Sequence, residues 1–411
     1  MRFIADLHIH SRYSRATSKD MSPESLWKWA QLKGISVIGT GDFTHPEWIK
    51  ELQKKLEPAG DGLFSLKKDL RSNDVPQSCR ADIHFLLTAE ISCIYSKNGK
   101  TRKIHSVVFV PHVAGAKNIN RALSKIGNLH SDGRPILGLD AKELLKIVLD
   151  AAPEAMIVPA HAWTPHFSVF GAASGFDSLE ECYEELTPHI HAIETGLSSD
   201  PPMNWRLSAL DRITLMSNSD AHSPAKLGRE SNIFDTEISY REIIDALKTK
   251  KGFSGTIEFF PEEGKYHYDG HRACNACLSP KDTIMHDYLC PVCGKKMTIG
   301  VMHRVEKLAD REDGFKPEGV PGFTSIIPLA ELISETVKAG VNSKKVRTLY
   351  HTVLEKIGSE FTILLDAPPD EIEKAGSSLL KEAIVRMREG DIHITPGYDG
   401  EFGKIRIFKD A

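Results

Sequence analysis

No stretch of this 411-residue chain approaches the roughly 20 consecutive apolar residues that span a bilayer, so no membrane partner is expected. The chain opens on a β-prone run rather than on the basic-then-apolar pattern of a signal peptide, and the expected location is cytoplasmic. There is no overall basic field. With 52 Lys and Arg against 56 Asp and Glu, the net charge is −4, and any grip on nucleic acid has to come from local patches. Neither a Ser-His-Asp nor a Cys-His arrangement suggests a nucleophilic side chain, and no Gly-rich loop suggests nucleoside triphosphate chemistry. Repeats and low-complexity tracts are missing as well. Cysteine is sparse, at seven residues, but four of the seven sit together, which in a cytosolic chain argues for metal before disulfide.

What is present is ordinary soluble-protein composition, 41% hydrophobic and 26% charged, over a length that suits two or three domains. Residues 2–10 read as a buried strand that delivers His8 and His10 two positions apart. In extended chain that spacing puts both imidazoles on one face, a half-site for a divalent metal. Up to about residue 258, apolar runs at 34–40, 83–89, 105–110, 155–159, 190–195 and 213–217 alternate with helical stretches at 23–32, 141–150, 179–186 and 240–248. Such alternation predicts parallel strands with crossover helices, in either a barrel or an open α/β sheet, and in both the chemistry gathers at the strands' C-terminal ends. Polar residues stand where the runs stop: Asp42 and His45, Glu90, His161, Glu194, then Asp220 and His222. His105, which opens its run, is the exception.

The motifs DLHIH (6–10), GTGDF (39–43), TAE (88–90), PAHAW (159–163) and NSDAH (218–222) resemble those of the polymerase and histidinol phosphatase (PHP) family. Residues 193–230, the cysteine module and the closing PGYDGEFGKI are similar to one branch of it, the endonuclease Q group of DNA repair nucleases. The resemblance implies an α/β fold, a distorted seven-stranded (β/α) barrel over residues 1–260. It also implies that His8, His10, Glu90 and Asp220 hold one metal, with Glu90 bridging to a second completed by His105 and His161. A third site departs from the family pattern, since Ala16 and Phe43 stand where histidines are usual; His222 matches, and Asp42 and His45 are candidate substitutes. Two or three ions, Zn2+, Mn2+ or Mg2+, would then activate water against a phosphoester, with His8, Glu90, Glu194 and Asp220 as the candidate catalytic residues. Glu194 would orient water or substrate, or else pair with Arg206.

Past residue 260 the character changes. Cys274-x2-Cys277 and Cys290-x2-Cys293, with twelve residues between the pairs, read as a four-thiolate structural zinc site in a module over 265–311. Residues 264–311 carry eight basic side chains against five acidic ones, opposite in sign to the whole chain. A mainly helical region over 312–411 follows, with helical spacing at 326–338, 343–357 and 369–388, and with Lys344, Lys345 and Arg347 near one helix start as candidate phosphate contacts. By the resemblance, this region binds DNA or the lesion. The implied reaction is a nick 5′ of a deaminated base (uracil, hypoxanthine or xanthine) or an abasic site, leaving 3′-hydroxyl and 5′-phosphate. A sliding clamp or repair polymerase would be the natural recipient of that nick. Trp163 and Phe167 are candidates for stacking on an extruded base, or for the core. Two alternatives stand beside this reading: a histidinol-phosphatase-like phosphomonoesterase, and a catalytically idle DNA-binding subunit.

Overall fold

The computed structural model describes residues 1–409. The opening strand is shorter than expected, Arg2–Asp6, and ends where Leu7 N turns to Asn218 Oδ1 (2.7 Å) instead of a ladder partner. It is paired on one side in parallel with Val37–Gly39 and on the other antiparallel with Ser231–Asp235. Val37–Gly39 pairs in parallel with the long strand His84–Lys97. That strand turns back as Lys100–Val110, so the two runs expected at 83–89 and 105–110 are one hairpin. Its turn is Asn98-Gly99, both at positive φ (54° and 72°), the geometry that an Asn-Gly dipeptide adopts most readily.

The strands do not close into a continuously hydrogen-bonded barrel. The strands make an open 11-stranded sheet of mixed direction, while Ala192–Glu194 and Thr214–Met216 pair only with each other. A few bonds reach across the two gaps, among them Ala162 N to Glu194 O (2.9 Å) and Ser217 Oγ to Ile257 O (3.1 Å). The long hairpin owes its antiparallel pairing to a tight turn that needs no crossover helix, whereas Arg2–Asp6 with Ser231–Asp235, and Lys100–Val110 with Met156–Pro159, pair antiparallel across long stretches of chain. The fold is mixed α/β all the same, with helices such as Pro23–Lys33, Ala141–Ala151 and Tyr240–Thr249 packed outside the sheet.

The last hundred residues are helical, with helices Leu329–Val337, Lys344–Lys356, Pro369–Ala375 and Ser378–Glu389. The helix expected over 369–388 is broken at Gly376-Ser377, where the Ser377 side chain caps the second segment by accepting from Leu380 N (3.1 Å). This region shares one hydrophobic core with the first half, running from Leu26 and Ile35 to Leu354 and Ile363. Glu360 is the polar tie. Buried, it pairs with Lys33 (2.7 Å) and accepts from Tyr350 Oη (2.7 Å) and Leu329 N (3.0 Å). Strand Gly322–Ser325 also joins the main sheet beside Phe253–Glu258, and a Cβ at Gly255 (φ 150°) would meet Gly322 O at 2.1 Å, so only glycine fits there.

Beneath the strand ends lies a fully buried pair of acids. Burial raises the Glu258 carboxyl to about 8, against the pull of Thr256, Thr195 and Ser217 and with a push from Asp200. Burial, then Glu258 itself, raises Glu230 well above the usual range. Between pH 4.5 and about 8 the folded chain therefore keeps a proton on Glu258 that the unfolded chain releases, and stability falls as pH rises through that window. Glu258→Gln, which imitates the protonated acid, should flatten the fall of melting temperature between pH 5 and 8 and raise it by a few degrees at pH 8. An unchanged pH slope would show that the pair does not titrate in that range.

Candidate metal centre

Two candidate ligand groups meet where the C-terminal ends of the short strands converge on the middle of the long hairpin. His8 and His10 follow Arg2–Asp6, and an isolated bridge from Ile9 to Ala221 brings the 218–222 loop alongside. Glu90 and His105 face the same side of the long hairpin, since Glu90 stands opposite Val107 and His105 opposite Ser92. His161 comes just past Met156–Pro159. Among the described residues, His8, His10, Glu90 and Asp220 offer ligand atoms all within 4.8 Å of one another, and so do Glu90, His105 and His161.

Glu90 belongs to both groups, one oxygen to each. Its Oε2 lies 3.1 Å from His10 Nε2 and 3.5 Å from His8 Nε2, while its Oε1 lies 2.6 Å from His105 Nδ1 and 3.1 Å from His161 Nε2. The other His8 and His10 nitrogens are held from behind. Glu194 takes His8 Nδ1 (2.9 Å) and also accepts from His161 N (2.9 Å) and Asn218 Nδ2 (2.8 Å). Asp42 takes His10 Nδ1 (3.1 Å) and accepts from Ser11 N and Oγ (both 2.6 Å) and Ser14 Oγ (2.9 Å). Carboxylates behind imidazoles fix the tautomer and aim the far nitrogen inward.

The far atoms have no partner of their own. His8 Nε2, His10 Nε2 and Asp220 Oδ1 are buried without an acceptable hydrogen bond, although His10 Nε2 and Asp220 Oδ1 are only 3.0 Å apart. Buried polar atoms converging without bonds among themselves suit a cation that all of them face. The electrostatics agree. Burial opposes every charge here, but the histidines outweigh it and hold Glu90 and Asp220 below the usual carboxylate range, while carboxylates hold His8, His10 and His161 above theirs. At His105 burial prevails and lowers the imidazole to about 4, leaving it neutral and fit to ligate.

Several residues expected in the centre stand elsewhere. Asp42 is a positioning partner of His10, its oxygens already taken by four donors. His45 lies outside the ligand groups at the N-cap of helix Pro46–Lys55, stacked on Tyr13 at 4.4 Å. His222 is also outside them; its Nδ1 donates to the Asp220 carbonyl (2.8 Å) and its ring lies 4.5 Å from that of His10. Glu194 does not pair with Arg206, which binds Glu306 (2.7 Å). Trp163 is core, packed on Phe170 with Nε1 donating to Asn204 (2.8 Å), whereas half-buried Phe167 lies 4.6 Å from the His105 ring. Lys344, Lys345 and Arg347 are exposed at their helix start. Arg134, which sequence reasoning missed, donates from Nη1 to Glu90 Oε2 (3.0 Å). Nothing in its loop signals it.

The cysteine module also differs from its expected form. The third group within 4.8 Å is His271, Cys274, Cys290 and Cys293, without Cys277. In the hairpin Asp269–His271 with Ala276–Leu278, Cys277 stands opposite Gly270 and His271 opposite Ala276, so Cys277 and His271 face opposite sides. His271 takes the fourth place, its Nδ1 3.7 Å from Cys293 Sγ. The same two-residue spacing to Cys274 that marks a knuckle was there to be read. A Cys3His set is a tetrahedral structural zinc site as readily as four thiolates.

Two imidazole-rich groups sharing one carboxylate at the strand ends are the arrangement of a metal-dependent hydrolase. Comparison with known proteins narrows this. A family model described as the MJ0043 C-terminal domain matches residues 328–391. The Bacillus subtilis protein YqxK is 30% identical over 421 residues, covering 98% of this chain and 99% of its own length. The Methanocaldococcus jannaschii protein MJ0043 is 34% identical over 253 residues, 60% of this chain, and the match spans 31% of that relative's length. The crystal structure of PfuEndoQ, a lesion-specific endonuclease from Pyrococcus furiosus, superimposes with a TM-score of 0.86 at 32% identity, covering 100% of this chain and 96% of that one. Endonuclease Q in complex with a 27-mer duplex bearing an abasic lesion gives 0.84 at 32% identity, over 100% and 98%. This chain belongs to the endonuclease Q family.

Proposed function

We propose that this chain is a lesion-specific DNA endonuclease that hydrolyses the phosphodiester 5′ of a deaminated base or abasic site. The observation that carries the reading is Glu90 facing two ligand groups at once, within a chain similar along its whole length to nucleases of this kind. His8, His10, Glu90 and Asp220 would hold one divalent ion and Glu90, His105 and His161 a second, which when bound would supply Lewis acidity toward a phosphodiester. The protein's own share is placement and charge. Glu194 and Asp42 lock the two leading histidines, and Arg134 adds a cation beside Glu90 that can take a non-bridging phosphate oxygen as negative charge builds. Water adds to phosphorus, the bond to the 3′ oxygen breaks, and the leaving oxygen takes a proton. His222 keeps its Nδ1 proton on the Asp220 carbonyl and burial lowers its pKa, so its bare Nε2 is the base that takes the attacking water's proton, which can then pass to the leaving 3′ oxygen.

The test is direct. Purified protein with Mn2+, Mg2+ or Zn2+ should cut end-labelled duplexes carrying one abasic site, uracil or hypoxanthine once, on the 5′ side, and leave sound duplex intact. Equal cutting of sound duplex removes the lesion-specific part. Release of phosphate from a small phosphomonoester without incision of DNA would turn the reading to a phosphatase.

A further inference from the structure

The long hairpin carries its metal ligands on one face, and that face continues past them. Side chains two apart on a strand point the same way, and residues directly opposite across an antiparallel pair share a face. Lys103 and Thr101 therefore follow His105 on the ligand-bearing side, together with Ser92, opposite His105, and Ile94, opposite Lys103. Burial agrees with the alternation. Arg102 and Ile104, 8% and 0% exposed, turn into the protein, whereas Lys103 is half-buried and Thr101 exposed. Beyond His105, then, the ligand-bearing face rises toward solvent. Lys103 Nζ makes no hydrogen bond or ion pair among the described residues and lies over the Phe167 ring, 5.2 Å from its centre. Phe167 in turn lies 4.6 Å from the His105 ring and holds φ at 63°, a strained value for a residue with a Cβ. Hydrogen bonds fix it there. Its carbonyl accepts from His105 N (3.0 Å), its own N–H donates to Ser174 Oγ (3.4 Å), and Ser174 O accepts from Lys103 N (3.3 Å). The ring is thus clamped between a ligand imidazole and an uncommitted ammonium.

Two cations therefore stand on this side of the centre with different reaches. Arg134 donates to Glu90 itself (3.0 Å), at the place of the reacting group. Lys103 leans on Phe167 instead. Two residues at a rise of about 3.4 Å set it about 7 Å from His105 along the strand. A small phosphomonoester has no second charge to offer there. A DNA strand does, since it carries one charge per about 3.4 Å of duplex axis. We propose that Lys103 is a specificity-determining residue, taking a flanking phosphate of the DNA strand within about two nucleotides of the one that reacts. It thereby favours a polymer over a small phosphomonoester, whatever the base sequence, because a phosphate contact positions the strand and reads no base. The inference rests on the nuclease reading above.

Lys103→Ala tests it, on the zinc-loaded chain with Mn2+ and a duplex carrying one abasic site. The side chain makes no ion pair, so the melting temperature should match wild type. KM should rise about tenfold with kcat within about twofold of wild type, the mark of lost binding and not of lost chemistry. Lys103→Arg, which keeps the charge, should stay within about threefold in KM. Single methylphosphonates in the lesion-bearing strand locate the contact. Wild type should lose about tenfold in kcat/KM at one linkage within about two nucleotides of the cut, and Lys103→Ala should lose nothing more there. An undiminished penalty in that variant overturns the inference, as does an unchanged KM. A fall in kcat at constant KM overturns it too, since Lys103 would then serve the reacting phosphate. Wild type that cuts no DNA sinks the nuclease reading and this inference together, whereas each of the other three results sinks the inference alone.

Discussion

Glu90→Gln should leave a folded protein whose cleavage of lesion-bearing DNA falls by about 1,000-fold or more, because it removes the one charge that both ligand groups share. The amide keeps the volume of the acid, so the core around it should hold, and the melting temperature should stay near wild type. What changes is the pairing. Glu90 Oε1 serves His105 and His161, and Oε2 serves His10 and Arg134, all within 3.1 Å. An amide presents one acceptor and one donor, so an N–H is turned on one group or the other. Metal content measured after dialysis should drop with activity. Activity within tenfold of wild type, at full metal content, would mean that the two groups do not work through Glu90.

Cys290→Ser should release one zinc per chain and unfold the module locally. The reason is the size of its core. Its own hydrophobic cluster is Ala276, Cys290 and Met297, with Cys274 and Leu278 packed against them. A cluster that small cannot repay the entropy of ordering the segment, so a metal has to. Apparent zinc-binding energies of roughly 10–16 kcal/mol in zinc-finger peptides are far above what that core supplies. Limited proteolysis should find new cuts between residues 272 and 297, with the sheet resistant. Cys277→Ser is the informative partner, since the structure leaves that thiol outside the group. It should keep its zinc. Equal loss of zinc from Cys277→Ser would restore the four-thiolate site and exclude His271.

Much of the centre could be read before any coordinates, because all of its candidate ligands except His105 follow an apolar run, and strand ends converge whatever their pairing. His8, His10, Glu90, His105, His161 and Asp220 come together in the two groups. Sequence reasoning lost the thread where tertiary hydrogen bonds decide. Nothing local says that Asp42 spends its oxygens on Ser11, Ser14 and His10. Nor does anything local say that Glu194 turns to His8 rather than to Arg206. The direction of the sheet was legible in part. Asn98-Gly99 is a hairpin signal in plain view, yet apolar runs before and after it suited separate parallel strands equally well. Arg134 had no pattern around it, and long-range contact alone places it.

Asp42, His161 and Asp220 all hold their backbones in the left-handed region, at φ values of 50°, 30° and 47°. For residues with a Cβ such geometry costs on the order of 1–3 kcal/mol each, and here it sits on two candidate ligands and on the hydrogen-bond partner of a third. Glycine would relax all three and would bind nothing. Selection for heat resistance and selection for catalysis therefore pull these positions in opposite directions. Any hardier descendant of this chain has to find its gains elsewhere in the molecule.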